Sequence, residues 1–199
     1  MNYQKLLQIG GLALSLLGSV NAQANLVVRG PDMIYDEDLN VTWLQNANLS
    51  GITWTWQGAN DWASNLNIGG YTDWRLPTTL QTTGAVTSAS EVGHLFIDEL
   101  GGTPTVRLDW SNNSTNYELF QNIVLSGSYW TATESADDSR AFSFTTYGFQ
   151  GSYDKATNQY YAWAVRDGDV WTVPLPGSAW LFVSFLFAFL GIERRKFKA

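Results

Sequence analysis

Glycine, asparagine, threonine and serine recur so closely between Asn25 and Thr172 that no long uninterrupted helix fits there. That stretch of about 150 residues has the size of one ordinary domain, and no repeat of solenoid or propeller period runs through it. The domain must therefore bury its core with short strands and short helices. Cysteine is absent from the 199 residues, so no disulfide can hold those pieces together. The same absence excludes thiolate nucleophiles and cysteine-based zinc sites. The chain is instead rich in aromatic rings, with ten Trp, nine Tyr and ten Phe, and those within the domain must do the holding.

Two helices are expected. In the segment from Thr55 to Leu66, Trp56, Ala59, Ala63 and Leu66 fall on one face of a 3.6-residue period, and Gly69-Gly70 closes it. The second runs from Ser88 to Leu100, with Ser88 and Glu91 in a capping-box pattern. Val92, Leu95, Phe96, Glu99 and Leu100 share its inner side, which leaves His94 on the opposite face as a solvated histidine. Strands are expected at Met33–Tyr35 and Val41–Leu44 around an acidic turn, then at Tyr129–Thr133, Arg140–Tyr147 and Gln159–Arg166. Phe142, Phe144 and Thr146 alternate with Ala141, Ser143 and Thr145, the pattern of a half-buried strand. Early helices followed by an antiparallel meander predict an α+β domain.

The ends read differently from the middle. Residues 1–24 form a secretory signal: Lys5, an apolar run from Leu6 to Val20, and an Ala22-Gln23-Ala24 cleavage site. At the other end, residues 170–192 carry no charge. A helix over about 178–192, slightly short of the usual ~20-residue span, is expected to cross a membrane. Glu193 and the cations Arg194, Arg195, Lys196 and Lys198 follow in the tail, residues 193–199, and orient it toward the cytoplasm. Two prolines at Val173-Pro174-Leu175-Pro176-Gly177 hold an extended segment just before it. Motif, apolar helix and basic tail over residues 173–199 resemble the VPLPA variety of PEP-CTERM sorting signals, with Gly177 where Ala is usual. The resemblance implies export by the Sec machinery and transient anchoring in the inner membrane with the domain on the periplasmic side. It further implies processing by an exosortase-type membrane protease and a mature form at the cell surface or outside the cell.

Within residues 25–172 three segments resemble one further family. Gly70-Tyr71-Thr72-Asp73-Trp74-Arg75-Leu76-Pro77-Thr78 carries a WRLPT signature, Tyr129-Trp130-Thr131-Ala132-Thr133 a YW[ST]-x-T element, and Ala162–Gly168 a closing Val-Arg strand. In this order they resemble the Lcl C-terminal domain family of bacterial surface proteins. That resemblance implies a C-type-lectin-like fold and a link to exopolysaccharide and biofilm. It assigns Trp74, Arg75, Leu76, Pro77, Tyr129, Trp130 and Arg166 to the structural signature. The formylglycine-generating chemistry of related folds needs cysteines that this chain lacks.

The formal charge of −7 averages unlike parts. Between Asn25 and Pro176 six Lys/Arg stand against seventeen Asp/Glu, which excludes nucleic acid as a partner. Arg75 and Arg166 suit bidentate pairing with carboxylates such as Asp73 or Asp61. Catalysis finds little support, because serines such as Ser126 and Ser128 lack a base when the chain holds one histidine. The pairs Asp36/Asp38, Asp137/Asp138 and Asp167/Asp169 sit in turns, where Asp caps backbone groups more often than it serves a glycosidase. An EF-hand is excluded by Val41 and Ala47 at the positions of its glycine and closing glutamate, leaving a looser calcium site at Asp36, Asp38 and Asn40 open. No other cofactor is expected. Among the tryptophans, Trp54 and Trp110 are the candidates for facing a ligand. The expectation is a non-enzymatic exported protein; a carbohydrate-binding module is the alternative, and a glycoside hydrolase a third reading.

Overall fold

The computed structural model describes residues 26–112 and 115–170. It is a mixed structure of short helices and antiparallel sheet. Residues 173–177, the expected membrane helix, Ala22, Ala24 and the basic tail lie outside the described residues. Among the described residues no helix is long and apolar enough to cross a membrane.

The first sheet has the order β1-β2-β3-β8, with β1 at Leu26–Val28, β2 at Met33–Asp36, β3 at Val41–Leu44 and β8 at Val165–Asp167. Its centre is the expected hairpin, registered Ile34 to Trp43 and Asp36 to Val41. Asn40 turns this hairpin at a left-handed φ of 53°, a conformation that Asn tolerates better than most residues. The second sheet has the order β4-β7-β6-β5, with β4 at Gly84–Ala85, β5 at Ser128–Glu134, β6 at Arg140–Thr145 and β7 at Phe149–Asp154. Every pairing in both sheets is antiparallel. The alternation along β6 is not that of a half-buried strand. Ala141 and Ser143 are buried as fully as Phe142 and Phe144, so both faces of β6 are covered as well as both of its edges, which pair with β5 and β7.

Helix α1, Trp56–Ser64, starts where the sequence placed it: Thr55 is its N-cap and Oγ1 accepts from the Gly58 N–H. Its apolar stripe buries Ala59 and Ala63. Helix α2, Glu91–His94, begins two residues later than Ser88 suggests. Ser90 is the cap, accepting from the Gly93 N–H at 3.2 Å, and Glu91 is drawn to an arginine instead of closing a capping box. The helix then widens into a π-turn over Leu95–Glu99, and the Leu100 N–H closes it on the Leu95 carbonyl. A short α3, Leu108–Ser111, and a 3-10 turn at Thr115–Leu119 lead into β5.

Aromatic rings join the two sheets. Trp163, 1% exposed, meets Trp43 of β3 at 5.6 Å, Phe120 at 5.2 Å and Tyr129 of β5 at 5.7 Å. Its indole N–H donates to the Leu44 carbonyl, so the ring is both packed and polar-satisfied.

The WRLPT segment is the other seam. Trp74 is buried and donates its indole N–H to Tyr71 O. Arg75 exchanges both backbone hydrogen bonds with Val165 of β8, while its guanidinium grips Glu91 of α2 through two nitrogens and also reaches Asp167. Pro77 O accepts from the Ala132 N–H of β5, and the Thr79 N–H donates to the Thr133 hydroxyl. Residues 74–79 thus tie the first sheet, α2 and the second sheet together. The Glu91 and Asp167 carboxylates raise the Arg75 pKa above its already high value.

Arg166 pairs bidentately with Asp73 at 2.8 and 2.9 Å and covers the Tyr71 ring. The guanidinium holds the Asp73 carboxyl below the usual range. A carboxylate lowered in the folded state stabilises the fold above its unfolded value and loses that contribution as pH falls through its folded value. Asp73→Asn is therefore expected to flatten the acid limb of stability below about pH 4. Because Asp73 is 55% exposed, the effect is modest. Urea midpoints of both proteins at a series of pH values measure it; parallel acid limbs would contradict it.

Candidate functional site

The turn between β2 and β3 leans on the helix, and a cluster of acids forms around the one histidine. Asp36, last residue of β2, is fully buried. Its Oδ1 accepts from the Leu39 N–H at 3.0 Å and its Oδ2 lies 3.4 Å from the Trp43 indole nitrogen, so the hairpin's own geometry aims it. From the helix come His94 and Glu99. Glu99 is also fully buried; its Oε2 accepts from the Asn116 amide at 3.0 Å.

His94 is not a solvated surface residue. Its side chain is only 13% exposed, because the Asp36–Asp38 turn closes over the face of the helix that periodicity leaves outward. Nδ1 lies 3.0 Å from Asp98 Oδ2, one helical turn on. Nε2 points into the cluster, 3.4 Å from Glu99 Oε1, 3.9 Å from Asp36 Oδ1 and 4.0 Å from Asp38 Oδ2. Burial, reinforced by Asp36 and Asp38 and moderated by His94, pushes the Glu99 carboxyl up to about 7. Burial likewise raises Asp36.

Of the three loose calcium candidates, the structure brings two to this cluster. Asp36 is inside it and Asp38 is on its rim, but Asn40 is engaged elsewhere, its Oδ1 accepting from the Tyr35 hydroxyl. Neither His94 nor Glu99 was singled out by the sequence as a site residue. Glu99 did carry a signal, since an acid stood on the apolar side of a helix with no cation placed to meet it.

Three of the other paired acids are committed to partners. Asp169 pairs with Arg29 through both oxygens, Asp167 with Arg75, and Asp137 accepts from the Ser139 N–H and hydroxyl. The Arg29–Asp169 pair also ties the beginning of the domain to its end.

The two ligand-facing tryptophans separate. Trp54 is half-buried, packed against Gly58, and its indole nitrogen is enclosed. Trp110 is 71% exposed at α3. The Arg107 guanidinium stacks on its ring at 4.3 Å and is itself held by Asp109 at 2.6 and 2.7 Å. A bare indole on the surface is thus braced from one side.

Residues 32–166 match the family described as Lcl C-terminal domain. The chain belongs to the Lcl C-terminal domain family. Neither the curated proteins nor the solved structures contain a match to it. Within this member of the family, the WRLPT segment binds the two sheets and α2 together, Arg166 is held beside it by Asp73, and Tyr129 and Trp130 lie buried in β5, Tyr129 against Trp163.

Proposed function

We infer that this Lcl C-terminal domain protein is an exported, non-enzymatic component of the cell surface or extracellular matrix, processed by an exosortase-type system and linked to exopolysaccharide. What supports the reading is the order of its parts: a secretory signal, one acidic domain, then the Val173–Gly177 motif, an apolar run and a basic tail. A net charge of −11 between Asn25 and Pro176 keeps a released domain soluble and repels acidic polymers. Mass spectrometry of the mature protein from its native cells tests this. A C-terminus at or near Val173–Gly177 is expected; a surface form that retains Arg194 and Arg195 would overturn it.

Carbohydrate binding by the domain itself is a second reading, favoured by Trp110. A 71% exposed indole, braced on one face by Arg107, offers the other face to the apolar side of a sugar ring. The domain's charge favours neutral over acidic glycans. On a glycan array, Trp110→Ala is expected to abolish binding to whatever neutral glycan the wild type takes. Its unfolding midpoint should stay within about 0.5 kcal/mol of wild type, as for most exposed positions. A blank array for the wild type would count against this reading and leave the first intact.

A further inference from the structure

We propose that Asp36, His94 and Glu99 form a binding site for a divalent transition-metal ion, with Asp38 at its solvent-side rim. The three residues offer ligand atoms that all lie within 4.8 Å of one another. They come from two elements that share no sequence neighbourhood, the end of β2 and the α2–π-turn helix.

The decisive observation is a pair of buried atoms left without partners. His94 Nε2 and Glu99 Oε1 are both shut away from solvent, and neither makes a hydrogen bond among the described residues. Glu99 is fully buried and its Oε1 faces the histidine. An ionised carboxylate in that position is costly unless something positive meets it.

The histidine is already arranged as a ligand. Asp98 Oδ2 lies 3.0 Å from Nδ1, a placement that favours the tautomer with its proton on Nδ1 and leaves Nε2 to face Glu99, Asp36 and Asp38. A lone pair aimed at three carboxyl groups needs a cation, or a proton on one of them, between the atoms. An imidazole whose other nitrogen donates to a carboxylate is the usual outer support of a metal-bound histidine. Asp36 has similar support from the Leu39 N–H and the Trp43 indole, and Glu99 from Asn116.

The spacing suits a small ion. Two ligands each ~2.1 Å from one ion at the tetrahedral angle lie about 3.4 Å apart. The observed 3.4 Å from Nε2 to Glu99 and 3.9 Å to Asp36 need only a slight contraction. An imidazole among carboxylates selects ions of the zinc and manganese kind, since calcium and magnesium prefer oxygen alone. Asp38 is 43% exposed and Asp98 35%, so the rim gives an ion a way in, while the fully buried Asp36 and Glu99 keep it as a structural clasp between hairpin and helix.

The competing arrangement is an imidazolium that shares its proton with Glu99. It predicts no dependence on metal. The test uses tag-free, full-length protein in detergent, stripped by chelator and titrated with Zn²⁺ and, separately, Mn²⁺. One saturable site is expected, with a melting temperature raised by about 5–10 °C at a hundredfold excess over Kd. His94 is the chain's single histidine, so its imidazole nitrogen resonances report the site without assignment. Zn²⁺ should move Nε2, and Mn²⁺ should broaden the ring signals away. Glu99→Gln, which keeps the shape and removes the charge, should weaken affinity at least tenfold. Asp98→Asn should weaken it by about ten- to a hundredfold without touching the ion, and serves if Glu99→Gln fails to fold. The proposal is overturned if neither ion saturates a site up to about 1 mM, the weak end for extracellular modules. It is equally overturned if binding leaves the His94 ring unmoved, or if folded Glu99→Gln and Asp98→Asn bind as tightly as wild type.

Discussion

Trp163→Ala is expected to cost about 3–5 kcal/mol, the range for removing a large aromatic from a packed core. The ring is 1% exposed, sits within 5.7 Å of Trp43, Phe120 and Tyr129, and donates to Leu44 O. Its loss opens a cavity where the two sheets meet and removes the hydrogen bond that anchors the indole to β3. Domains of this kind have only ~5–15 kcal/mol in total, and no disulfide limits the unfolded chain here. A drop in melting temperature of roughly 6–20 °C follows. Urea unfolding monitored by circular dichroism measures it, with the exposed Trp110→Ala as the matched control. A Trp163→Ala protein within 1 kcal/mol of wild type (about 2–4 °C) would mean that the sheets do not depend on this ring.

Gly93→Ala is expected to destabilise by about 3 kcal/mol, at the upper end of overpacking. A Cβ at this position would lie 1.8 Å from the Thr87 carbonyl oxygen and 2.6 Å from its carbon. Both are backbone atoms, so no side-chain rotation relieves the clash, and α2 must retreat from residues 87–90. That retreat moves Glu91 away from Arg75 and His94 away from Asp36. The same substitution in α1 is a fair comparison. At Gly58 the new Cβ would come no closer than 3.2 Å to the Trp54 ring, and the gain in helix propensity of ~1 kcal/mol offsets the crowding. Gly58→Ala should therefore lie near wild type in denaturant midpoint. Equal losses at Gly58 and Gly93 would remove the claim that contact with Thr87 is what makes Gly93 special.

Much of the local structure was legible. The start of α1 near Thr55, the Ala59 and Ala63 stripe and the Met33–Leu44 hairpin all follow from periodicity and turn chemistry, which act over a few residues. Other features were not. Strand β7 was hidden because Gly151 and polar neighbours break any apolar alternation along Phe149–Asp154. The short β1 and β4 carry too few residues to show a period. The second face of β6 does not show in the sequence, because an alternation of size, Phe against Ala or Ser, looks the same as an alternation of exposure. Ala141 and Ser143 are small because that face, too, is closely packed. The cap of α2 was two residues off for a similar reason: Ser88 and Ser90 are both competent caps, and contacts with Thr87 decide between them.

By itself the sequence determined what kinds of interaction were available. No cysteine meant no disulfide, close turn residues meant short elements, and a wealth of aromatic rings meant a core built from rings. It also determined the family, through Trp74–Thr78, Tyr129–Thr133 and the Val165-Arg166 strand. Only the tertiary structure decided which side chains share a site. His94 stands on the polar face of its own helix, and periodicity along one element can say no more than that. Its environment comes from Asp36 and Asp38, more than fifty residues earlier, delivered by a hairpin whose position depends on β8 and on the WRLPT seam. Burial and charge at a point in space are sums over neighbours from distant parts of the chain, so the acid cluster around His94 exists only once the chain has closed on itself.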